Sequence, residues 1–241
     1  LLDSDKGRGG DWVPNLVIGC SSVADEGHGF WISNSFCTNL VGCQTYQAKG
    51  HGYLIDRASN STCLSGCRAY QGYQNGIMVD AASELNVSST IICWNKGNGI
   101  ECRKVVWGTI TANEFIDNGA RTEPRQYGVL IRGGSRGLQV SGNAIFNWPG
   151  HQPMIDGIHE EADCADNHFT ANNVNHFKGE GVVSLGSRSL SGNNLVSAKA
   201  YEHPDNPGEF PLVDGERQPA TMEEFSGDRM AAFLKDSRVA S

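Results

Sequence analysis

Apolar residues in this chain recur in short alternating segments, not at helical spacing. One motif, Gly-apolar-any-apolar, occurs as Gly29-Phe30-Trp31-Ile32, Gly52-Tyr53-Leu54-Ile55, Gly76-Ile77-Met78-Val79, Gly99-Ile100-Glu101-Cys102 and Gly128-Val129-Leu130-Ile131. It continues, less cleanly, as Gly157-Ile158-His159-Glu160 and Gly181-Val182-Val183-Ser184. The glycines are 23, 24, 23, 29, 29 and 24 residues apart. A second motif (apolar, small, small, then Cys, Thr or Asn) ends at Cys20, Cys43, Cys67, Thr90, Asn113, Asn143, Asn172 and Asn193, with spacings of 23, 24, 23, 23, 30, 29 and 21. The two ladders share a period and lengthen in the same repeats. Short period-2 segments separated by Gly, Ser and Asn predict strands and turns. A 23-residue period without helical segments predicts a β-solenoid of seven to eight coils. Coils stacked about 4.8 Å apart bring equivalent side chains into register.

The ladders have a mechanical reading. Stacked Asn side chains hydrogen-bond along the axis, and a small thiol fills the same slot as an apolar plug. Cys20, Cys43 and Cys67 therefore read as structural free thiols, and no Cys-x-x-Cys pair occurs. Leucine-rich repeats are excluded by the absence of their Leu-x-x-Leu-x-Leu framework. The Gly-Ile-x-Val strand, the Asn ladder and the coil length resemble the pectin-lyase-like superfamily of right-handed parallel β-helices. The resemblance spans about residues 15–196. It implies an all-β fold and a carbohydrate-active protein, in a superfamily that includes lyases, glycoside hydrolases, fructan transglycosidases, uronan epimerases and tailspikes. Gly27-His28-Gly29 and Gly50-His51-Gly52 look like the Gly-His-Gly of polygalacturonases. The other motifs of that family are missing, so none of its catalytic residues is carried over.

Three segments are expected: a polar lead-in at 1–14, the parallel β-helix at 15–196, and an irregular tail with a short C-terminal helix at 197–241. The helix is read from the capping box Thr221-Met222-Glu223-Glu224 and the apolar face Met222, Phe225, Met230, Phe233 and Leu234. The lead-in contains no capping helix of the kind usual in the family, which would suit a chain that is part of a longer protein. The net charge of −8 argues against nucleic acid as partner, and no apolar run of 18 residues occurs to span a membrane. No signal peptide is visible, and the resemblance carries the expectation of a secreted or cell-surface protein. The irregular tail and the C-terminal helix suit a homo-oligomer, for example a trimer.

Alternation assigns the faces. After each Gly, the first and third residues point inward; the second and fourth, with the residue before Gly, point outward. The outward positions bring Asp56, Asp80, Glu101, Arg103, Tyr127, Arg132, His159 and Glu161 together on one face. The two long coils carry their extra residues just before the Gly strand, at 117–126 and 147–156, which places Arg121, Glu123, Arg125, Trp148 and His151 in walls beside that face. A Trp rim suits a sugar ring. Glu160 falls on an inward position, which requires either a bulge that turns it toward the groove or a buried carboxyl.

These residues support two chemistries. In glycosidic cleavage, Asp80 and Glu101 would be the paired carboxylates, with Glu160 or Glu161 as an alternative acid. Asp56, Arg103, Tyr127, Arg132, Trp148 and His159 would bind the poly- or oligosaccharide. No cofactor is needed for this route. In the lyase or epimerase version, Arg, His or Tyr127 acts as base on a uronic acid, often with calcium. A non-catalytic glycan-binding or tailspike-like module is the third reading, and uneven coil lengths favour an enzyme over a plain shaft.

Overall fold

The computed structural model describes residues 2–3, 14–119, 126–148 and 154–197. Three eight-stranded sheets run the length of the stack, and every pairing is parallel. Each coil contributes one strand to each sheet in turn, as in Ile77–Asp80, Ser83–Ser88 and Ile91–Cys93. The strand Leu2–Asp3 pairs with Phe30–Ser33. The stack thus already holds a strand ahead of the boundary expected at residue 15. The helix expected over 221–236 lies outside the described residues.

The Gly ladder has a steric cause. A Cβ on Gly52 would come within 2.6 Å of the Gly76 carbonyl oxygen, and one on Gly99 within 2.5 Å of the Gly128 carbonyl oxygen. No side chain fits where successive coils approach so closely. The residues after each Gly alternate as expected. Ile77, Val79, Ile100, Cys102, Val129 and Ile131 are fully buried in a core that also takes Leu64, Val87, Ile110, Phe115 and Phe169.

The second ladder closes the bend between the second and third sheets. Asn113 donates from Nδ2 to the Val87 carbonyl and to Asn143 Oδ1, both at 3.0 Å. Asn143 repeats this with Ile110 and Asn172, both at 2.9 Å. In the earlier coils the slot holds Cys67, whose Sγ donates to the Leu40 carbonyl at 3.4 Å. A thiol thus supplies the donor that the Asn amide supplies elsewhere. All eight cysteines are free. The last rung is a correction: Asn172 bonds Asn194, not Asn193. Asn193 takes the left-handed backbone position (φ 56°) that Gly66, Ser89 and Ala112 occupy in other coils, and the slot residue follows it. A further Asn ladder at the next bend, Asn95 over Asn118, was not read from the sequence; Asn95 Nδ2 reaches Asn118 Oδ1 at 2.9 Å.

Candidate functional site

The residues preceding each Gly correct the sequence reading. They do not stand outward as a solvated row, because strand alternation ends at the bend. At five of these positions the side chain instead curls along the axis and accepts the backbone N–H of the next coil. His28 Nδ1 accepts from His51 N at 3.0 Å, and His51 Nδ1 from Asn75 N at 3.2 Å. Asn75 Oδ1 accepts from Asn98 N and Asn98 Oδ1 from Tyr127 N, both at 2.8 Å. Asp156 Oδ1 accepts from Glu180 N at 2.8 Å. Asn75, Asn98 and Asp156 are accordingly buried.

The His rungs carry a pH consequence. Their rings stack at 5.2 Å and 5°. An Nδ1 that accepts a hydrogen bond must be unprotonated, and burial together with the neighbouring ring pushes the His51 pKa down to about 4. The native state therefore binds fewer protons than the unfolded chain, whose His titrates near 6.5. This contribution to stability, on the order of 3 kcal/mol, is fully present above pH 6.5 and is lost as pH falls through 4. His51→Asn restores the amide used at Asn75 and Asn98, so its acid-unfolding limb between pH 6.5 and 4 should be flatter than that of the wild type in urea titrations.

Beside this ladder, the outward positions of the first sheet hold two ion pairs. Arg103 clasps Asp80 with two bonds, Nε–Oδ1 at 2.9 Å and Nη2–Oδ2 at 2.6 Å. The guanidinium holds the Asp80 carboxyl below the usual carboxylate range. Arg132 reaches Glu101 Oε1 from Nε at 2.7 Å and from Nη2 at 2.5 Å. Glu101 Oε2 accepts from Asn75 at 2.9 Å and Asn98 at 3.1 Å. Glu101 is 6% exposed, so both its oxygens are committed inside the protein. The two carboxylates lie on adjacent strands offset by two residues, with Met78 opposite Glu101 and Asp80 opposite Arg103.

One coil further on, Tyr127 stacks on His159, with ring centroids 4.6 Å apart. His159 Nδ1 lies 3.1 Å from Asp156 Oδ2. A carboxylate at Nδ1 selects the tautomer that protonates Nδ1 and leaves the Nε2 lone pair as acceptor. Burial, then the Asp156 and Glu161 carboxylates, push the Tyr127 phenol pKa up, so it carries its proton at neutral pH. His159 sits opposite Leu130, which sits opposite Glu101, on the same outward column. The structure thus brings together Glu101, Tyr127, Arg132, His159 and Glu161.

The other expected residues lie elsewhere. Asp56 accepts from Trp31 Nε1 at 3.1 Å, in the early coils. Trp148 packs edge-on against Phe146 of the third sheet at 5.9 Å and donates its backbone N–H to Asp117 at 2.7 Å, so it belongs to that sheet's edge. Arg121, Glu123, Arg125 and His151 lie outside the described residues. Glu160 is a further correction. The register Ile131–Glu160–Ser184 runs without a bulge, and the side chain is fully buried in the core. Its Oε1 accepts from Asn167 and Ser189, both at 2.7 Å, and its Oε2 from Ser184 at 2.7 Å and Gly186 N at 3.1 Å. It faces no groove. The sequence reading left Asp156 out of the candidate residues; its signal was the Asp-Gly-Ile-His spacing, which sets Asp three residues before an outward His.

A model of the right-handed β-helix region matches residues 4–145. The chain belongs to the right-handed β-helix family. Among solved structures, this β-helix is similar to the Azotobacter vinelandii mannuronan C-5 epimerase AlgE6 A-module, at 18% identity and a TM-score of 0.58, over 76% of this chain and 52% of that one. It is also similar to the AlgE4 A-module from the same organism, at 15% identity and a TM-score of 0.58, over 76% and 53% of the two chains. At these identities the likeness is one of fold, and the β-helix spans about half the length of either module. No curated protein matches it. Among the described residues, no three His, Cys, Asp or Glu side chains stand where they could share a metal ion. Asp56, Asp80, Glu101 and Asp156 are tied to Trp, Arg, Asn or His partners, a donor set that does not fit calcium, so no step is derived through it.

Proposed function

We propose that this β-helix acts on a uronate-containing polysaccharide by removing the proton at C5, with His159 as base and Tyr127 as acid. The Tyr127–His159 pair, oriented by Asp156, is the observation that carries the reading. C5–H of a uronate is α to a carboxylate, and removing it builds negative charge on that group. Arg132 stands on the same face, and its side chain is 37% exposed while anchored by Glu101. It can meet the substrate carboxylate and stabilise the developing enolate. His159 Nε2 takes the C5 proton, and the C5–H electrons move into the enolate. The enolate then expels the 4-O-glycosyl group to form a C4=C5 double bond, and the Tyr127 phenol protonates the departing oxygen. Ring contact leaves no room for a sugar between Tyr127 and His159, so the pair works from one side of the substrate. Syn elimination needs only one side, whereas epimerisation returns a proton from the opposite side. The epimerase neighbours support the choice of a uronate, and the one-sided pair favours elimination.

The hydrolase reading fares less well on geometry. A general acid must hold a proton, but Arg103 holds the Asp80 pKa down and Glu101 is saturated by donors. Of the carboxylates expected for that role and described on this face, Glu161 remains. Incubation with polymannuronate, polygalacturonate and a neutral 1,4-glucan separates the readings. The expected result is ultraviolet absorbance from unsaturated ends with a uronate alone. New reducing ends from the glucan, without unsaturation, would replace this reading with hydrolysis.

A further inference from the structure

A different edge of the molecule, where the third sheet turns into the first, carries aromatic and cationic side chains that the proposed chemistry does not use. Tyr46 and Tyr70 occupy register-matched outward positions of the third sheet. In the next coil Trp94 takes over the aromatic role. Its ring lies 6.5 Å from that of Tyr70, and its Nε1 donates to Asp117 Oδ2 at 3.0 Å, which fixes the indole. Three consecutive coils thus present one aromatic ring each, all half-buried.

Two or three residues further along the same coils stand Lys49, Tyr73 and Lys96. The Lys49 ammonium lies 4.6 Å from the Tyr73 ring centroid, and that of Lys96 4.0 Å. The backbone stacks tightly here: Tyr73 N donates to Ala48 O at 2.9 Å, and Lys96 N to Gly72 O at 2.8 Å. The two cations therefore approach one ring from the coil before and the coil after it. The ring's negative faces let two like charges stand close together. Tyr73 is 37% exposed. In a chain of net charge −8, this is a local cationic patch beside a row of aromatic platforms.

We propose that Tyr46, Tyr70, Trp94 and the Lys49–Tyr73–Lys96 stack form a second binding surface, which holds an anionic polysaccharide chain along the helix axis apart from the Tyr127–His159 site. The coil repeat of about 4.8 Å is close to the advance per sugar of an extended 1,4-linked chain, so successive rings meet successive pyranose faces. Aromatic rings bind such faces with either charge. The paired ammonium groups complement carboxylates and set the preference for a uronate. The inference rests on the proposed function only for the choice of that ligand.

Affinity electrophoresis through gels containing polymannuronate, with a neutral 1,4-glucan gel as control, tests it. The wild type and His159→Gln should be retarded alike by polymannuronate and little by the glucan. Lys49→Glu/Lys96→Glu, and separately Tyr73→Ala, should weaken that retardation roughly tenfold while turnover of a short oligouronate stays at the wild-type rate. Lys49→Glu alone changes an exposed residue and keeps the test sound if the double variant fails to fold. Retardation unchanged in Lys49→Glu and Tyr73→Ala would overturn the second surface, as would equal retardation by the glucan. Retardation that depends on the lysines in a protein that turns over no uronate would uphold the surface and sink the proposed reaction, so the two can fail separately.

Discussion

His159→Gln is expected to lower turnover of a polyuronate by about 10²–10⁴-fold, the range for removing a positioned proton-transfer group. Glutamine keeps a polar side chain of similar reach but cannot take the C5 proton. Tyr127→Phe should fall in the same range, because the leaving oxygen then departs without a proton while the ring stack on His159 is kept. The double variant should lose little more than either single one, since the two residues act on one transition state. Asp156→Asn should reduce turnover with little change in substrate affinity, because an amide at Nδ1 no longer enforces the productive tautomer. Steady-state kinetics on a size-defined oligouronate measure all four. Substantial turnover in His159→Gln would show that the base is another group.

Glu160→Leu is expected to cost about 3–5 kcal/mol of stability. Leucine fits a buried site, yet it leaves the Asn167 amide, two hydroxyls and the Gly186 N–H without their acceptor. Glu160→Gln should cost less, because one acceptor oxygen remains. For a body of this size the Leu variant should unfold roughly 10 °C below the wild type, taking 2–4 °C per kcal/mol. Polyuronate turnover by any folded fraction should be unaffected, because Glu160 faces the core. Loss of turnover in a Glu160→Gln protein of wild-type stability would instead put this carboxyl in the reaction.

Much of this architecture was legible in the sequence, for identifiable reasons. The Gly ladder is forced by carbonyl oxygens that leave no room for Cβ, and the inward columns by the alternation of strands. The Cys/Thr/Asn slot could be read because one geometry repeats in every coil. The failures occur where strands end. At the bend before each Gly, alternation no longer governs, so His51, Asn75 and Asn98 turn to neighbouring backbone N–H groups instead of solvent. Asn193 and Asn194 are adjacent and chemically identical, and only the left-handed backbone at the first tells them apart. The inward place of Glu160 followed from alternation, and the repeat connects it to Ser184 one coil on, but its other donors, Asn167, Gly186 and Ser189, occupy positions that the ladder does not pair with it. The candidate site was legible in part. His159 and Arg132 stand on the face that alternation assigned and Tyr127 reaches it from the bend by stacking on His159, whereas Asp80 and Glu101 find arginine partners in the following coils. Which charges pair along an outward ladder depends on side-chain reach, and spacing alone does not encode that.

The central claim is that a proton leaves C5 of a uronate at His159. It is tested most directly by running the reaction on polymannuronate in deuterated water and analysing the products by NMR. The account predicts C4=C5 unsaturated ends that form in the wild type and not in His159→Gln, with deuterium at C5 of any residues that are reprotonated instead of eliminated. Cleaved chains with saturated ends and an undisturbed C5 proton would contradict it.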